Sequence, residues 1–161
     1  SDILMNLGID VYTGKQIDTN IVEKIKKERG FFFGYQMARQ LEFALFDMLI
    51  HFDAYSADEV DAILRNVRNE IGSLEQPDYV KFQNQFSHIF SGGYAAGYYS
   101  YKWAEVLSAD LFVKTKNNLL NGKEIAKTLF SLGGSINIYD EYVKQTGSMP
   151  DSSSIFKLYQ S

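Results

Sequence analysis

The chain has 161 residues, of which 45% are hydrophobic and 22% charged, and this composition is typical of one soluble globular domain. Its 16 basic and 20 acidic residues give a net charge of −4, so the chain lacks the positive field that attracts nucleic acid. It contains no cysteine, which excludes disulfide bonds and thiolate metal sites.

The helical periodicity of the apolar residues, together with a content of only two prolines, predicts an all-α fold. A short helix is expected over residues 3–7, and a turn follows it. Asp18 or Thr19 can then cap a second helix that ends at Gly30.

Residues 31–52 carry apolar side chains around most of the helical circumference, and this pattern predicts a central helix buried on nearly all sides. Arg39, Glu42 and Asp47 interrupt the run, so it falls short of the roughly 20 apolar residues that span a bilayer. The chain also begins without a basic and then apolar signal sequence. We therefore expect no membrane partner and a cytoplasmic location.

Two further helices are expected on either side of an irregular passage. Ser56 and Glu59 have the spacing of a capping box, and the helix that they start ends at Gly72. Residues 78–91 show no regular period. A long helix is expected over residues 95–116.

The helix over residues 95–116 carries four apolar residues that we expect in the core, which are Trp103, Val106, Leu107 and Phe112. Asn121 can cap a following helix through Leu132, and two short helices over residues 138–146 and 152–159 complete the chain. The sequence as a whole is thus expected to form one helical domain.

The motifs of the common hydrolases are absent from the sequence. A zinc peptidase usually carries His-Glu-x-x-His on one helix, but the two histidines, His51 and His88, lie far apart and belong to no such motif. There is also no Gly-x-Ser-x-Gly elbow and no phosphate-binding loop. The chain alone is therefore not a complete enzyme of these classes.

One segment combines phenols with glycines. Its members are Tyr94, Tyr98, Tyr101, Gly92, Gly93 and Gly97. If the helix starts at residue 95, the three phenols share one face and can donate several hydrogen bonds in one direction. The glycines allow positive φ angles and close approach of a ligand, so the segment can close over an extended peptide.

Each of these features also has a structural interpretation. A tyrosine stripe at helical spacing more often packs in a core, and a packed domain without a site predicts that the three rings are largely buried. His88 taken alone is also more often structural. Its expected place on a loop, however, is where functional residues collect.

Residues 86–103 read Phe-Ser-His-Ile-Phe-Ser-Gly-Gly-Tyr-Ala-Ala-Gly-Tyr-Tyr-Ser-Tyr-Lys-Trp. This run closely resembles the glycine-rich tyrosine segment of the thimet oligopeptidase and oligopeptidase A family of zinc peptidases. Residues 39–47 resemble the buried helix of that family, and residues 129–134 resemble its later Leu-x-x-Gly-Gly stretch. The likeness covers most of the chain and is lowest near its end.

The resemblance implies a multi-helix, largely orthogonal bundle like the C-terminal part of the neurolysin and thimet oligopeptidase fold, formed by residues 1–161. It also implies a zinc-dependent endopeptidase that cleaves short peptides. In that family a His-Glu-x-x-His helix and a downstream glutamate hold the zinc, and both are expected in an N-terminal catalytic portion that precedes Ser1. Zinc is thus expected as the cofactor of the full-length enzyme, with no metal ligand in this chain.

The same resemblance implies roles for the segment of phenols and glycines. Tyr101 and Tyr94 would hydrogen-bond the scissile carbonyl and its oxyanion. His88 would contact the peptide near the cleavage point, and Tyr98 would line the cleft. The three glycines would make the loop mobile. The alternative is a non-catalytic helical module that binds peptides or another protein through its tyrosine face.

We expect a polypeptide of residues 1–161 to bind zinc weakly or not at all, because two distant histidines and scattered carboxylates do not preorganise three ligands. Metal analysis after loading with zinc chloride and dialysis measures this. A stoichiometric zinc ion that survives the dialysis would contradict the expectation.

Overall fold

The computed structural model describes residues 2–72, 74, 76–77 and 79–160, and the regular elements among them are helices joined by turns and loops. The one extended pairing among these residues is an isolated β-bridge between Ile9 and Gln16. The predicted all-α fold is confirmed. None of the described helices has both the length and the apolar character that a bilayer crossing requires.

The described residues form nine α-helices, which are α1 (Asp2–Leu7), α2 (Thr19–Phe31), α3 (Phe33–Ile50), α4 (Ala57–Ile71), α5 (Ser87–Ser91), α6 (Ser100–Lys116), α7 (Gly122–Ile125), α8 (Ile138–Thr146) and α9 (Ser153–Gln160). A π-helical turn over Ala126–Phe130 prolongs α7. The helices after α6 therefore follow the predicted order.

Polar caps explain where several helices begin and end. The Asp18 side chain accepts a hydrogen bond from the Asn20 amide at 2.7 Å and so starts α2. Ser56 and Glu59 form the predicted capping box at the start of α4. Gly72 ends α4 with a left-handed φ of 72°, which a glycine adopts without strain. These boundaries are confirmed.

The apolar side chains gather in two clusters. The first core joins α3, α4 and α5 and consists of Phe46, Ile50, Leu64, Val67, Phe86 and Ile89. The second core lies between α7, its π-turn and α8 and consists of Ile125, Leu129 and Tyr142. Helix α9 packs against α6 and α2.

A buried carboxylate links the helices around the second core. Asp110 of α6 accepts hydrogen bonds from the hydroxyls of Tyr142 in α8 and Ser154 in α9, the latter at 2.8 Å. Lys114 forms an ion pair with it at 2.6 Å. Burial opposes ionisation of Asp110, but these donors together lower the pKa of its carboxyl below the usual value. One charged group thereby ties α6, α8 and α9 together.

Burial of α3 differs from the prediction. Phe46 and Asp47 are fully buried, but Leu41, Met48 and Leu49 are exposed. The reason is that α4 and the first core pack against one side of α3. The expected helix with burial on nearly all sides is therefore wrong for the described residues, because α3 has one buried and one open side.

Two of the four expected core residues of α6 are also exposed. Trp103 is 54% and Phe112 is 52% accessible, whereas the other two are half-buried. The fully buried residues of α6 are Ala109 and Asp110. Periodicity identified the helix but assigned the large aromatic rings to the wrong environment.

The start of α6 is a further correction. The predicted helix began at residue 95, but α6 begins at Ser100 and residues 95–99 form turns. Ala96 has a φ of 52°, which a right-handed helix excludes. The three phenols therefore do not share one continuous helical face.

The passage before α6 is more regular than expected. Residues 78–91 contain a 3-10 turn over Phe82–Asn84 and the short helix α5, although Asp78 lies outside the described residues. Helix α2 continues one residue beyond Gly30. Short apolar turns of this kind form through packing on the first core rather than through a repeated sequence period.

We expect Phe46→Ala to lower the free energy of unfolding by about 3–5 kcal/mol, because the ring is fully buried in the first core and its removal leaves a cavity. Urea unfolding of the purified chain measures this loss. Phe52→Ala is the control, since that ring is 85% exposed just after the same helix. Equal losses in the two variants would contradict the assignment of the core.

Candidate functional site

The turn formed by residues 94–99, which we term the tyrosine turn, is held against α3 by a buried carboxylate. Oδ1 of Asp47 accepts a hydrogen bond from the Ala96 amide at 2.9 Å, and Oδ2 accepts one from the Tyr98 amide at 2.9 Å. Nδ1 of His51 lies 2.9 Å from Oδ1 of the same carboxylate. The hydrogen bonds from the backbone amides of the turn to the Asp47 side chain thus determine how the phenols are presented.

Tyr98 forms the inner wall of the site. Its hydroxyl donates to Oε1 of Gln40 at 3.1 Å. Its ring meets those of Phe43 and Phe86 edge-on, with centroids 5.8 and 5.1 Å away. Burial raises the pKa of the Tyr98 phenol, while the charge of Arg39 opposes this rise. Tyr98 is therefore a partly buried residue whose hydroxyl hydrogen already has an acceptor.

Tyr94 and Tyr101 form the outer, exposed part of the site. Their rings stack with centroids 5.8 Å apart and planes 24° from parallel, and they are 40% and 44% exposed. A side-chain hydrogen bond with Tyr94 raises the pKa of Tyr101 above its ordinary value of 10.0, and partial burial adds to this. These exposures do not match a packed domain without a site.

The rings of four predicted site residues form one continuous row. The Tyr101 centroid lies 5.2 Å from that of Tyr98, and the His88 centroid lies 5.6 Å from that of Tyr94. His88 belongs to α5, so its expected place on a loop is wrong. The predicted residues nevertheless come together, although a turn rather than a helix brings them there.

An open groove of about 380 Å³ runs beside this row. It is lined by Gln40, Phe86, His88, Tyr98, Tyr101, Lys102 and Glu105. Lys102 and Glu105 form an ion pair at one side, and the Tyr159 hydroxyl donates to Glu105 at 3.0 Å. The groove therefore offers apolar rings, phenol hydroxyls and a pair of charges to a ligand.

The three glycines of the segment differ in how strongly their surroundings exclude a side chain. A Cβ at Gly92 would lie 2.7 Å from the carbonyl oxygen of His88, so a side chain there clashes with the end of α5. Gly93 has a φ of 76°, a region that side chains disfavour. At Gly97 a Cβ would meet the Tyr94 carbonyl oxygen at 3.3 Å, which is tight but closer to ordinary contact.

Sequence reasoning missed the support that α3 gives to the site. In the sequence Asp47 stands out only as a charge that interrupts an apolar run, and Gln40 does not stand out at all. An acidic residue inside an apolar helix is a usable signal, because a buried carboxylate needs donors. Nothing in the sequence distinguishes Gln40 from an ordinary polar residue of a helix.

The residues of the site do not fit a catalytic zinc ion. Such an ion needs about three His, Cys, Asp or Glu ligands that converge on one point. No group of three such side chains within the described residues could hold a metal. Of the two histidines, His51 is bonded to Asp47 and His88 lies against Tyr94.

The chain belongs to peptidase family M3, because the model of that family matches residues 2–160. Oligopeptidase A of Haemophilus influenzae is 32% identical over 151 residues, which cover 90% of this chain and 22% of that protein. The probable cytosolic oligopeptidase A of Arabidopsis thaliana is 36% identical over 162 residues, which cover 92% and 23%. Saccharolysin of Saccharomyces cerevisiae is 30% identical over 161 residues, which cover 96% and 22%.

The chain thus spans less than a quarter of the length of these relatives, at 22% to 23% of each. The match includes the whole tyrosine turn and the helices around it, since it extends over residues 2–160. Membership of the family of peptidases is established for this part of the sequence.

We expect Tyr94→Phe to bring the pKa of Tyr101 down towards 10.0, because the variant keeps the stacked ring but removes the hydroxyl partner. NMR titration of tyrosine labelled at Cζ measures the value. Tyr99→Phe is the control, and it should leave the pKa of Tyr101 unchanged. The same Tyr101 pKa in the Tyr94→Phe variant and the unaltered chain would contradict the proposed bond.

Proposed function

We propose that this chain is the substrate-binding part of a zinc-dependent endopeptidase that hydrolyses short peptides. Membership of peptidase family M3 supports the reaction class, and the names of the oligopeptidase relatives support short peptides as substrates. The observation that carries the proposal is the exposed, stacked pair of phenols, Tyr94 and Tyr101, at the edge of an open groove.

The groove beside the phenols suits an extended peptide. The rings of Phe86 and Tyr98 provide apolar contact for side chains, while Gln40 and the hydroxyl of Tyr101 provide polar partners for a peptide backbone. His88 sits next to Tyr94, where it can contact the same peptide. Short extended chains fill such a groove, whereas a folded protein presents few unpaired backbone groups.

Tyr101 and Tyr94 act on the carbonyl oxygen of the bond that is cleaved. Peptide hydrolysis places negative charge on this oxygen, and a hydrogen bond from a fixed donor strengthens as the charge grows. A phenol with a pKa of 10.0 or above is protonated at neutral pH, so Tyr101 is a hydrogen-bond donor there. On binding, its hydroxyl exchanges the bond with Tyr94 for one to the substrate.

The metal-binding elements belong, in this proposal, to sequence outside residues 1–161, because the described residues do not fit zinc. A longer polypeptide would also account for the apolar surface of this chain. Trp103, Leu41 and Phe156 are exposed around a second, apolar groove of about 310 Å³. We propose that the N-terminal catalytic portion of the same enzyme covers this surface.

The glycines and Tyr98 have supporting roles. Gly93, with its left-handed φ, lets the chain reverse between α5 and the tyrosine turn, and Gly92 allows close contact with α5. Tyr98 lines the groove with its ring rather than its hydroxyl, which is bonded to Gln40. A cytoplasmic location remains a proposal, supported by the name of the probable cytosolic relative from Arabidopsis thaliana.

We expect Tyr101→Phe, in the full-length peptidase that contains these residues, to lower kcat by roughly 10²- to 10³-fold with little change in KM. The change removes a donor that acts mainly in the transition state but keeps the ring and its stacking. Steady-state kinetics with a short fluorogenic peptide measures both constants. Zinc content should stay normal.

Tyr99→Phe is the matched control, since Tyr99 is a neighbouring exposed tyrosine that does not line the groove. It should leave kcat and KM unchanged. If Tyr101→Phe had a near-normal kcat per folded molecule, the catalytic role of Tyr101 would have to be abandoned.

A further inference from the structure

We propose that Asp47 is a positioning residue for the phenol pair. Its buried carboxylate on α3 holds the tyrosine turn in the one conformation that presents Tyr94 and Tyr101 to the groove. The inference rests on the proposed function of these two phenols. It adds a residue that touches neither the groove nor, in our proposal, the substrate.

Asp47 contacts the tyrosine turn through both of its carboxylate oxygens. The two oxygens of Asp47 accept from two amides of the same turn, those of Ala96 and Tyr98, each at 2.9 Å. Two parallel bonds to one carboxylate determine both the position and the orientation of the turn, as a single bond does not. The carboxylate is only 1% exposed, so water does not compete for these donors.

Ala96, at the centre of the turn, has an unusual backbone conformation. Its φ of 52° lies in the left-handed region, which is unfavourable for a residue with a Cβ. Glycines occupy positions 93 and 97, but the left-handed residue at the centre of the turn is an alanine. The turn is therefore imposed by its partner rather than by local freedom, and that partner is Asp47.

The residues held by Asp47 are directly connected to the phenol pair. Tyr98 donates its amide to Asp47, and its ring lies 5.2 Å from that of Tyr101. Tyr94 is two residues before Ala96, and its ring also stacks on that of Tyr101. A turn released from α3 would thus move the donors relative to a bound peptide, and a displacement of about 1 Å is enough to lower a rate substantially.

The test is Asp47→Asn in the full-length peptidase. The amide side chain keeps one acceptor oxygen but turns an NH2 group towards one of the two backbone N–H groups. We expect kcat to fall by roughly 10- to 100-fold, KM to change little, and the Ala96 and Tyr98 amides to exchange faster with solvent. In the Tyr101→Phe background the same change should cost much less, because the positioned donor is gone.

Two further variants at position 96 and one control complete the test. Adding Ala96→Gly to Asp47→Asn should restore part of kcat, because glycine adopts the left-handed conformation without a partner. Ala96→Val leaves Asp47 in place but makes the conformation more costly, so it should also lower kcat even if Asp47→Asn fails to fold. Asp110→Asn is the control for a buried carboxylate remote from the turn, and it should lower the melting temperature alone.

The outcomes separate this inference from the proposed function. Normal kcat in folded Asp47→Asn, or full additivity with Tyr101→Phe, would overturn the positioning role and leave the role of Tyr101 intact. A normal kcat in Tyr101→Phe would overturn the catalytic role proposed for Tyr101. In that case, a kcat that falls in Asp47→Asn and recovers when Ala96→Gly is added would still indicate that Asp47 positions the turn.

Discussion

A carboxylate that is buried away from water needs hydrogen-bond donors, and α3 contains two such carboxylates. Asp47 takes two backbone amides from the tyrosine turn, and Glu42 is paired with Arg39 at 2.5 Å and Arg68 at 2.9 Å. One of these carboxylates orients the site and the other attaches α4. The charges therefore define the buried side of α3 as much as its apolar residues do.

The open side of α3 follows from the same arrangement. Elements that satisfy the carboxylates pack on one side of the helix, and the apolar residues of the other side, including Leu41 and Met48, face solvent. Trp103 extends this surface onto α6. A surface of this kind is unusual for a protein that acts alone, and it agrees with a chain that spans under a quarter of its relatives.

Local signals in the sequence were sufficient for the fold class and for several helix ends. Ser56 and Glu59 predicted their cap because the bonds involve residues three apart. The environment of Trp103 was not predictable, because an apolar period does not say which side of a helix a partner covers. The phenols were recognised as a group through their spacing and family resemblance, but the turn at Ala96 depends on Asp47, 49 positions away. Contacts of this range leave no local pattern.

The separation into two cores has a consequence for the energetics of the chain. Phe86 belongs to the first core and Tyr98 packs against it, and both line the groove, whereas no residue of the second core does so. A ligand in the groove would therefore contact the first core and the start of α6, because Tyr101, Lys102 and Glu105 also line the groove. Helices α7 and α8 contribute no residue to the groove, so they would gain less stability from the ligand. Saturation with peptide would thus leave two levels of protection against hydrogen exchange, with the region around Leu129 less protected than the region around Phe86.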